Sequence, residues 1–264
     1  MNIFTCRVAL RPRGPLEVFD LALELLRAHP GPFVKLALPL VGFPAALLAA
    51  GSLATGGHWA WLLLAFLLTP AIQAPYTVLG GRLLFAEQVP LTQVLRELVT
   101  RPLATASAVF WPSAMGVVGL LMCGVGPLFT LPLSAFVAEA ALLERATGVD
   151  AVFRAAKLAM YSPLGSLVYC SVWFAGSAWG VVVGEATGQM LFDWLLQFGA
   201  PFSGLQEGVV TPYAVVGLLA VQPVLGLYRL LLFVDVRTRV DGWDLQVGLR
   251  AARLAADASG RVAS

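Results

Sequence analysis

Long hydrophobic runs alternate with short charged segments along the whole chain. The longest run, Pro102–Ala138, contains no Asp, Glu, Lys or Arg. A helix needs about 20 apolar residues to cross a bilayer, so this run is long enough for two helices. Gly124, Gly126 and Pro127 predict a turn between them. Because a chain in lipid must satisfy its own backbone hydrogen bonds, a helical hairpin is the predicted structure.

The same pattern predicts an all-α membrane protein with six transmembrane helices, arranged as three hairpins in a single integral membrane domain, 1–264. The predicted spans are 33–52, 59–81, 103–122, 127–143, 162–184 and 209–234. Other segments interleave charged side chains with Leu, Val and Phe, which is typical of amphipathic helices at a membrane surface. These surface helices are predicted at 15–29, 90–100, 149–160 and near 244–256.

Composition and charge agree with this topology. The chain is 59% hydrophobic and 12% charged, and none of its 17 Lys and Arg residues lies in the loops 51–58, 123–127 or 185–207. By the positive-inside rule, the surface helices and both termini are cytoplasmic. Only Lys35 and Lys157 are lysines. This bias suggests a GC-rich bacterial genome, so the predicted location is the bacterial inner (cytoplasmic) membrane.

Three short motifs resemble a known group of proteins. The stretch Leu10–Asp20 begins LRP and ends PLEVFD, Glu144–Leu158 begins ER and ends AVFRAAKL, and Asp235–Leu245 begins DVRTR and ends GWDL. In these motifs the chain resembles bacterial multi-span proteins similar to the membrane domain of glycerophosphodiester phosphodiesterases. The resemblance covers nearly the whole chain. It implies the membrane module and not the enzyme, whose catalytic barrel is a separate domain.

The sequence offers little catalytic chemistry. Its two histidines, His29 and His58, fall on opposite predicted sides of the membrane, so they cannot share a metal ion or one catalytic triad. No glycine-rich phosphate loop is present. We therefore expect no catalytic residue, no metal site and no cofactor, and we interpret the chain as non-enzymatic.

Two predicted spans carry an amide beside a proline, Gln73 with Pro75 and Gln222 with Pro223. Proline leaves a carbonyl without its partner one turn earlier, and a nearby amide can satisfy that carbonyl. The pattern therefore fits a satisfied kink, which is the simpler interpretation, or a contact with a substrate or ion.

Arg82, Glu139 and Arg229 each follow a proline in the middle of a span by six or seven residues. Each returning helix therefore brings one charge to the cytoplasmic boundary. If the hairpins are true repeats, these charges form a cluster in which the planar guanidinium groups hold the carboxylate. If the similarity between the hairpins is due to chance, the three side chains reach the headgroups separately.

Gly176, Gly180 and Gly184 recur every four residues in the fifth span, which gives a helix face without side chains. Such a face lets another backbone approach closely. We favour internal packing over a homodimer face, with Ser113, Gly116 and Gly119 in a smaller patch that could receive it.

Two classes of function stay open. The first is a scaffold or anchor that assembles partner proteins at the cytoplasmic face or organises membrane lipids, and the small number of charges inside the spans favours it. The second is a carrier of a lipid-like or small amphipathic molecule through the proline-broken spans. Nucleic acid is not an expected partner, because acidic residues interrupt the basic segments.

Overall fold

The computed structural model describes residues 13–86, 88–122, 127–197 and 208–241, and every regular element in these ranges is a helix. A π-helical segment, Leu38–Gly42, joins α2 to α3, and another, Met190–Leu195, extends α10. The α-helices are α1 Pro15–Ala28, α2 Pro30–Ala37, α3 Phe43–Ala54, α4 Ala60–Leu83, α5 Leu91–Thr100, α6 Pro102–Leu121, α7 Pro127–Ser134, α8 Val137–Leu142, α9 Val149–Tyr161, α10 Pro163–Gln189, α11 Pro212–Ala220 and α12 Gln222–Asp241.

Five of these helical segments are long and apolar enough to cross a membrane, which confirms the prediction of an all-α membrane protein. They are Pro30–Ala54, Ala60–Leu83, Pro102–Leu121, Pro163–Leu195 and Pro212–Val240. Each coincides with a predicted span. The fifth predicted span, 162–184, is too short, because no proline interrupts the helix before residue 195.

The predicted fourth span, 127–143, differs from a single membrane-length helix. It consists of the short helices α7 and α8, separated by a turn in which the Ala135 N–H donates to the Pro132 carbonyl at 3.3 Å. Pro132 has no N–H and its ring crowds the carbonyl one turn earlier, which favours the break. The apolar stretch Thr130–Leu142 is therefore shorter than the about 20 residues of a regular span.

The three short helices expected beside the hairpins are present as α1, α5 and α9. Each buries one face against the bundle, through Val18, Val94 and Ala155 respectively. Apolar side chains such as Val99 and Phe153 are nevertheless exposed on α5 and α9. This combination fits helices that lie at a lipid surface. The helix predicted near 244–256 lies outside the described residues.

The centre of the bundle is formed by α4 and by the last pair of helices, α11 and α12. In the most apolar stretch of each segment, 61% of the residues of α4 and 72% of those of Pro212–Val240 are buried. In each of the other three membrane-length segments, only 28% are buried. The polar side chains Gln73, Gln222 and Arg229 lie on these central segments and are buried. They are therefore shielded from lipid by the surrounding helices.

Glycines allow α10 to lie directly against α11. A Cβ on Gly180 would lie 2.7 Å from the Gly217 carbonyl oxygen, and one on Gly184 would lie 2.6 Å from the Gly217 Cα. One turn away, Gly176 faces the side chain of Leu225 of α12. The structure thus places the glycine face of α10 inside this chain, whereas Gly116 of α6 faces Phe66 instead.

Contacts at both ends of the bundle hold the last two helices against the first ones. At one end the Arg13 N–H donates to Asp235 Oδ1 at 2.8 Å, and the Arg239 guanidinium donates to the Arg13 carbonyl at 2.6 Å. At the other end the Val210 N–H donates to the Gly57 carbonyl at 2.9 Å, and the Ser52 hydroxyl donates to the Val210 carbonyl at 2.8 Å. The beginning and the end of the described chain therefore meet at the same end of the bundle.

The close approach of α10 and α11 makes Gly217 sensitive to one added methyl group. A Cβ at Gly217 would overlap the Gly180 carbonyl and lie 2.7 Å from the Gly184 Cα. Because backbone atoms on both sides cannot move away, we expect Gly217→Ala to lower the free energy of unfolding in mild detergent by about 1–3 kcal/mol. Gly42→Ala is the control, since a Cβ there meets no atom within 4 Å. Equal stability of the two variants would contradict this packing.

Candidate functional site

A buried ion pair joins α8 to α12. The Arg229 Nε donates to Glu139 Oε1 at 2.8 Å, and the two side chains are 4% and 0% exposed. The hydroxyl of Thr77, on α4, lies 3.3 Å from the same carboxylate oxygen, and Tyr169 of α10 hydrogen-bonds to the guanidinium. Burying a charge away from water lowers stability unless the charge has such a partner. The pair thus ties four helices together through one set of contacts.

The pairing of Glu139 and Arg229 is incomplete. Among the described residues, Glu139 Oε2 and Arg229 Nη2 have no hydrogen-bond partner, although both atoms are buried. An unpaired buried donor or acceptor lowers stability by about 1–3 kcal/mol, and by more when the group is charged. A polar group that enters the bundle can therefore gain a strong hydrogen bond here.

The structure does not bring Arg82 to this pair. Arg82, near the end of α4, donates to Glu97 Oε2 of α5 at 2.9 Å and 2.7 Å, and to Gln93 Oε1 at 2.9 Å. Arg101 also pairs with Glu97, at 2.8 Å. Because α5 places a carboxylate within reach at the end of α4, Arg82 is held there. The proposed cluster of three charges is thus an ion pair of two, Glu139 and Arg229.

The two amides beside prolines contact each other. Gln73 Nε2 donates to Gln222 Oε1 at 2.7 Å, and Gln222 Nε2 donates to the Leu218 carbonyl at 2.9 Å. The helix α4 continues through Pro75, whereas α11 and α12 are separated at Val221, just before Pro223. These bonds fit the interpretation of satisfied kinks for the two amide groups.

A small cavity lies beside Gln73 and Arg229. Its volume is about 40 Å³, which is room for a few water molecules or one small polar group. Most of its wall is apolar. The polar side chains in the wall come from five helices, namely Thr69, Gln73, Ser113, Ser134, Tyr169 and Arg229.

Three of the four hydroxyl groups in this wall, those of Thr69, Ser113 and Ser134, already donate their hydrogen atoms to main-chain carbonyls. Thr69 donates to the Phe66 carbonyl at 2.8 Å, Ser113 to carbonyls of α4 and α6 at 3.0 Å and 2.9 Å, and Ser134 to the Leu131 carbonyl at 3.1 Å. Their oxygen atoms can therefore still accept a hydrogen bond but cannot donate one. The cavity thus combines oxygen acceptors with the unpaired donor of Arg229.

A larger apolar pocket lies next to this cavity. Its volume is about 520 Å³, within the range of roughly 300–1,000 Å³ that is usual for ligand pockets. His58 and Trp59 line its end near the loop between α3 and α4, and Leu63 and Phe174 line its sides. The residues shared by the walls of both spaces are Phe66, Gly116 and Leu131. No pattern in the sequence predicts this pocket, because its lining residues are ordinary for any transmembrane helix.

A second group of charges connects α9 with the end of α12. Arg154 Nε donates to Glu144 Oε2 at 2.7 Å, and Arg237 forms an ion pair with Glu144 Oε1. Arg239 also pairs with Asp235, at 3.0 Å. These side chains belong to two of the motifs that carry the family resemblance. Their contacts give these motifs a structural role at one end of the bundle.

Comparisons with protein families, curated proteins and solved structures find no match for this chain. The resemblance to glycerophosphodiester phosphodiesterase membrane domains therefore stays a prediction from the three motifs. In the part of the chain that the structure describes, no three His, Cys, Asp or Glu side chains come together in a group that could hold a metal ion.

The ion pair predicts strong coupling between Glu139 and Arg229. We expect Glu139→Gln and Arg229→Gln each to lower the free energy of unfolding by about 3 kcal/mol, because each leaves a buried charge without its partner. The double variant should lose clearly less than the sum of the two. Measurement is by unfolding in mild detergent.

The matched control combines Glu139→Gln with Arg82→Gln. Since Arg82 pairs with Glu97, we expect these two effects to add within about 0.5 kcal/mol. Additive effects for Glu139 and Arg229, or coupling between Glu139 and Arg82, would contradict the assigned pairing.

Proposed function

We propose that the protein crosses the bacterial cytoplasmic membrane six times, with both termini in the cytoplasm. The contacts between Arg13 and the α12 residues Asp235 and Arg239 support an even number of crossings, because they join the two ends of the described chain. Five segments have membrane length, so the broken pair α7 and α8 makes the sixth crossing. The ion pair between Arg237 and Glu144, just after α8, supports the same conclusion. The absence of Lys and Arg from loops 51–58, 123–127 and 185–207 supports this orientation.

Cysteine labelling on both sides of the broken segment tests this topology. In a chain with Cys6, Cys123 and Cys170 replaced by serine, we expect Met122→Cys to react with an impermeant maleimide in spheroplasts. Thr147→Cys should react only after the membrane is permeabilised. Both positions are exposed in the structure. Labelling of both from the same side would show that α7 and α8 do not cross.

For its role, we infer a non-enzymatic carrier that binds a lipid-like or small amphipathic molecule in the apolar pocket between α4, α6, α7 and α10. The observation that carries this proposal is the unpaired Nη2 of Arg229, a side chain that lines the small cavity, whose wall shares three residues with the apolar pocket of about 520 Å³. The smaller cavity, at about 40 Å³, is too small for a whole ligand. The apolar body would therefore occupy the pocket and the polar end would reach the cavity.

The scaffold role is the second candidate. It is favoured by the exposed apolar side chains of the surface helices, such as Val99 and Phe153, which could contact lipid or a partner protein. A scaffold, however, needs only its outer surface. It does not require a buried guanidinium with an open hydrogen-bond position next to a pocket, so the carrier accounts for more of the molecule.

Gly116 offers a direct test of ligand binding, since it lines both spaces. We expect Gly116→Phe to fill their shared wall and reduce photolabelling of the pocket by a hexadecyl diazirine probe at least about tenfold. The labelled peptides would be mapped by mass spectrometry of the full chain in nanodiscs.

Gly116→Ala is the matched control. Its Cβ would lie 3.6 Å from the Phe66 ring, an ordinary contact that leaves the pocket open, so labelling should be unchanged. The proposal fails if the phenylalanine variant keeps its thermal stability and is labelled as strongly as the alanine variant.

A further inference from the structure

The guanidinium of Arg229 determines which chemical groups of a ligand can bind in the small cavity. Arg229 lines this cavity and is 4% exposed, and its Nε is already bound to Glu139. Its Nη2 has no acceptor among the described residues. One charged donor of a side chain that lines the cavity therefore still lacks an acceptor.

The charge balance of the site argues against an anionic ligand. Arg229 and Glu139 together have no net charge, so an added carboxylate or phosphate would leave an uncompensated negative charge among apolar helices. Such a charge is unfavourable in a buried site, even beside a cation. An uncharged oxygen atom can accept from Nη2 without this penalty.

The hydrogen-bond acceptors around the cavity further restrict which uncharged groups of a ligand fit there. The hydroxyl oxygens of Thr69, Ser113 and Ser134 have their hydrogens directed to main-chain carbonyls, so they can only accept. A ligand hydroxyl can accept from Arg229 and donate to one of these oxygens. A ketone can make only the first bond, and a hydrocarbon can make neither. The volume of about 40 Å³ also favours a group of this size over a phosphate headgroup.

We propose that the polar end of the bound molecule is a single uncharged hydroxyl group, held by Arg229 in the small cavity next to the apolar pocket. This proposal rests on the carrier function inferred above and specifies its ligand as a neutral long-chain alcohol or a lipid that presents such a hydroxyl. The apolar chain lies between Phe66, Gly116 and Leu131, which line both spaces, and extends toward Trp59.

Competition against the hexadecyl diazirine probe tests this assignment on the full chain in nanodiscs. The competitors have nearly the same alkyl chain and differ mainly in the head: hexadecanol, a hexadecyl methyl ketone, hexadecane, palmitate and hexadecyl phosphate. We expect hexadecanol to compete at a concentration at least roughly tenfold lower than hexadecane, because it gains a hydrogen bond to a charged donor. The ketone should fall between them, and the two anions should compete no better than hexadecane.

A variant with no net charge change removes the donor. The double variant Glu139→Gln, Arg229→Gln should still bind hexadecane. Its preference for hexadecanol over hexadecane should fall to a few-fold or less, because only a hydrogen bond between neutral groups can then form. Arg82→Gln is the control, because Arg82 pairs with Glu97 elsewhere, and it should keep the full preference.

The outcomes separate this proposal from the carrier function itself. If no competitor reduces labelling of the pocket, the carrier function fails. If all five compete equally, or if palmitate or hexadecyl phosphate competes best, the pocket binds ligands but the hydroxyl assignment is wrong. The same conclusion follows if the double variant keeps the full preference for hexadecanol.

Discussion

The ion pair between Glu139 and Arg229 is almost completely buried, and the central helices are arranged around it. Its partners come from α4, α8, α10 and α12, so these helices must meet at one level of the bundle. The contact between Gln73 and Gln222 adds a second polar connection between the same central helices. Glycines then let α10 approach α11 closely enough to cover these groups. Polar contacts thus specify which helices meet, and small residues make the distance possible.

Much of this arrangement could be predicted from the sequence. Hydrophobic length identifies five membrane helices, because the bilayer sets their minimum extent. The glycines of α10 and the amides of Gln73 and Gln222 are unusual in apolar segments, so they are visible as sites of close packing or polar contact. The spacing of charged residues after prolines predicts that Glu139 and Arg229 meet, as they do in the structure. The same spacing also predicts Arg82 in this cluster, whereas Arg82 pairs with Glu97.

Other features depend on distances that no linear pattern contains. Arg82 pairs with Glu97 because α5 folds back against the end of α4, and a charge near a helix end has several such partners within reach. The break between α7 and α8 depends on local hydrogen bonds around Pro132, while α4 continues through Pro75. The apolar pocket is formed where helices diverge. Its wall residues, such as Phe66 and Leu131, look like any lipid-facing side chain in the sequence.

The order of the chain also imposes an order in time on biosynthesis. Glu139 precedes its partner Arg229 by 90 positions, and Gln73 precedes Gln222 by 149. At a synthesis rate of about 5–20 residues per second, the carboxyl group leaves the ribosome roughly 5–18 s before the guanidinium does. Until the last two helices arrive, the polar groups of α4 and α8 lack their final partners. A nascent chain that stops before residue 229 therefore holds the carboxyl group of Glu139 without the guanidinium that pairs with it in the finished bundle.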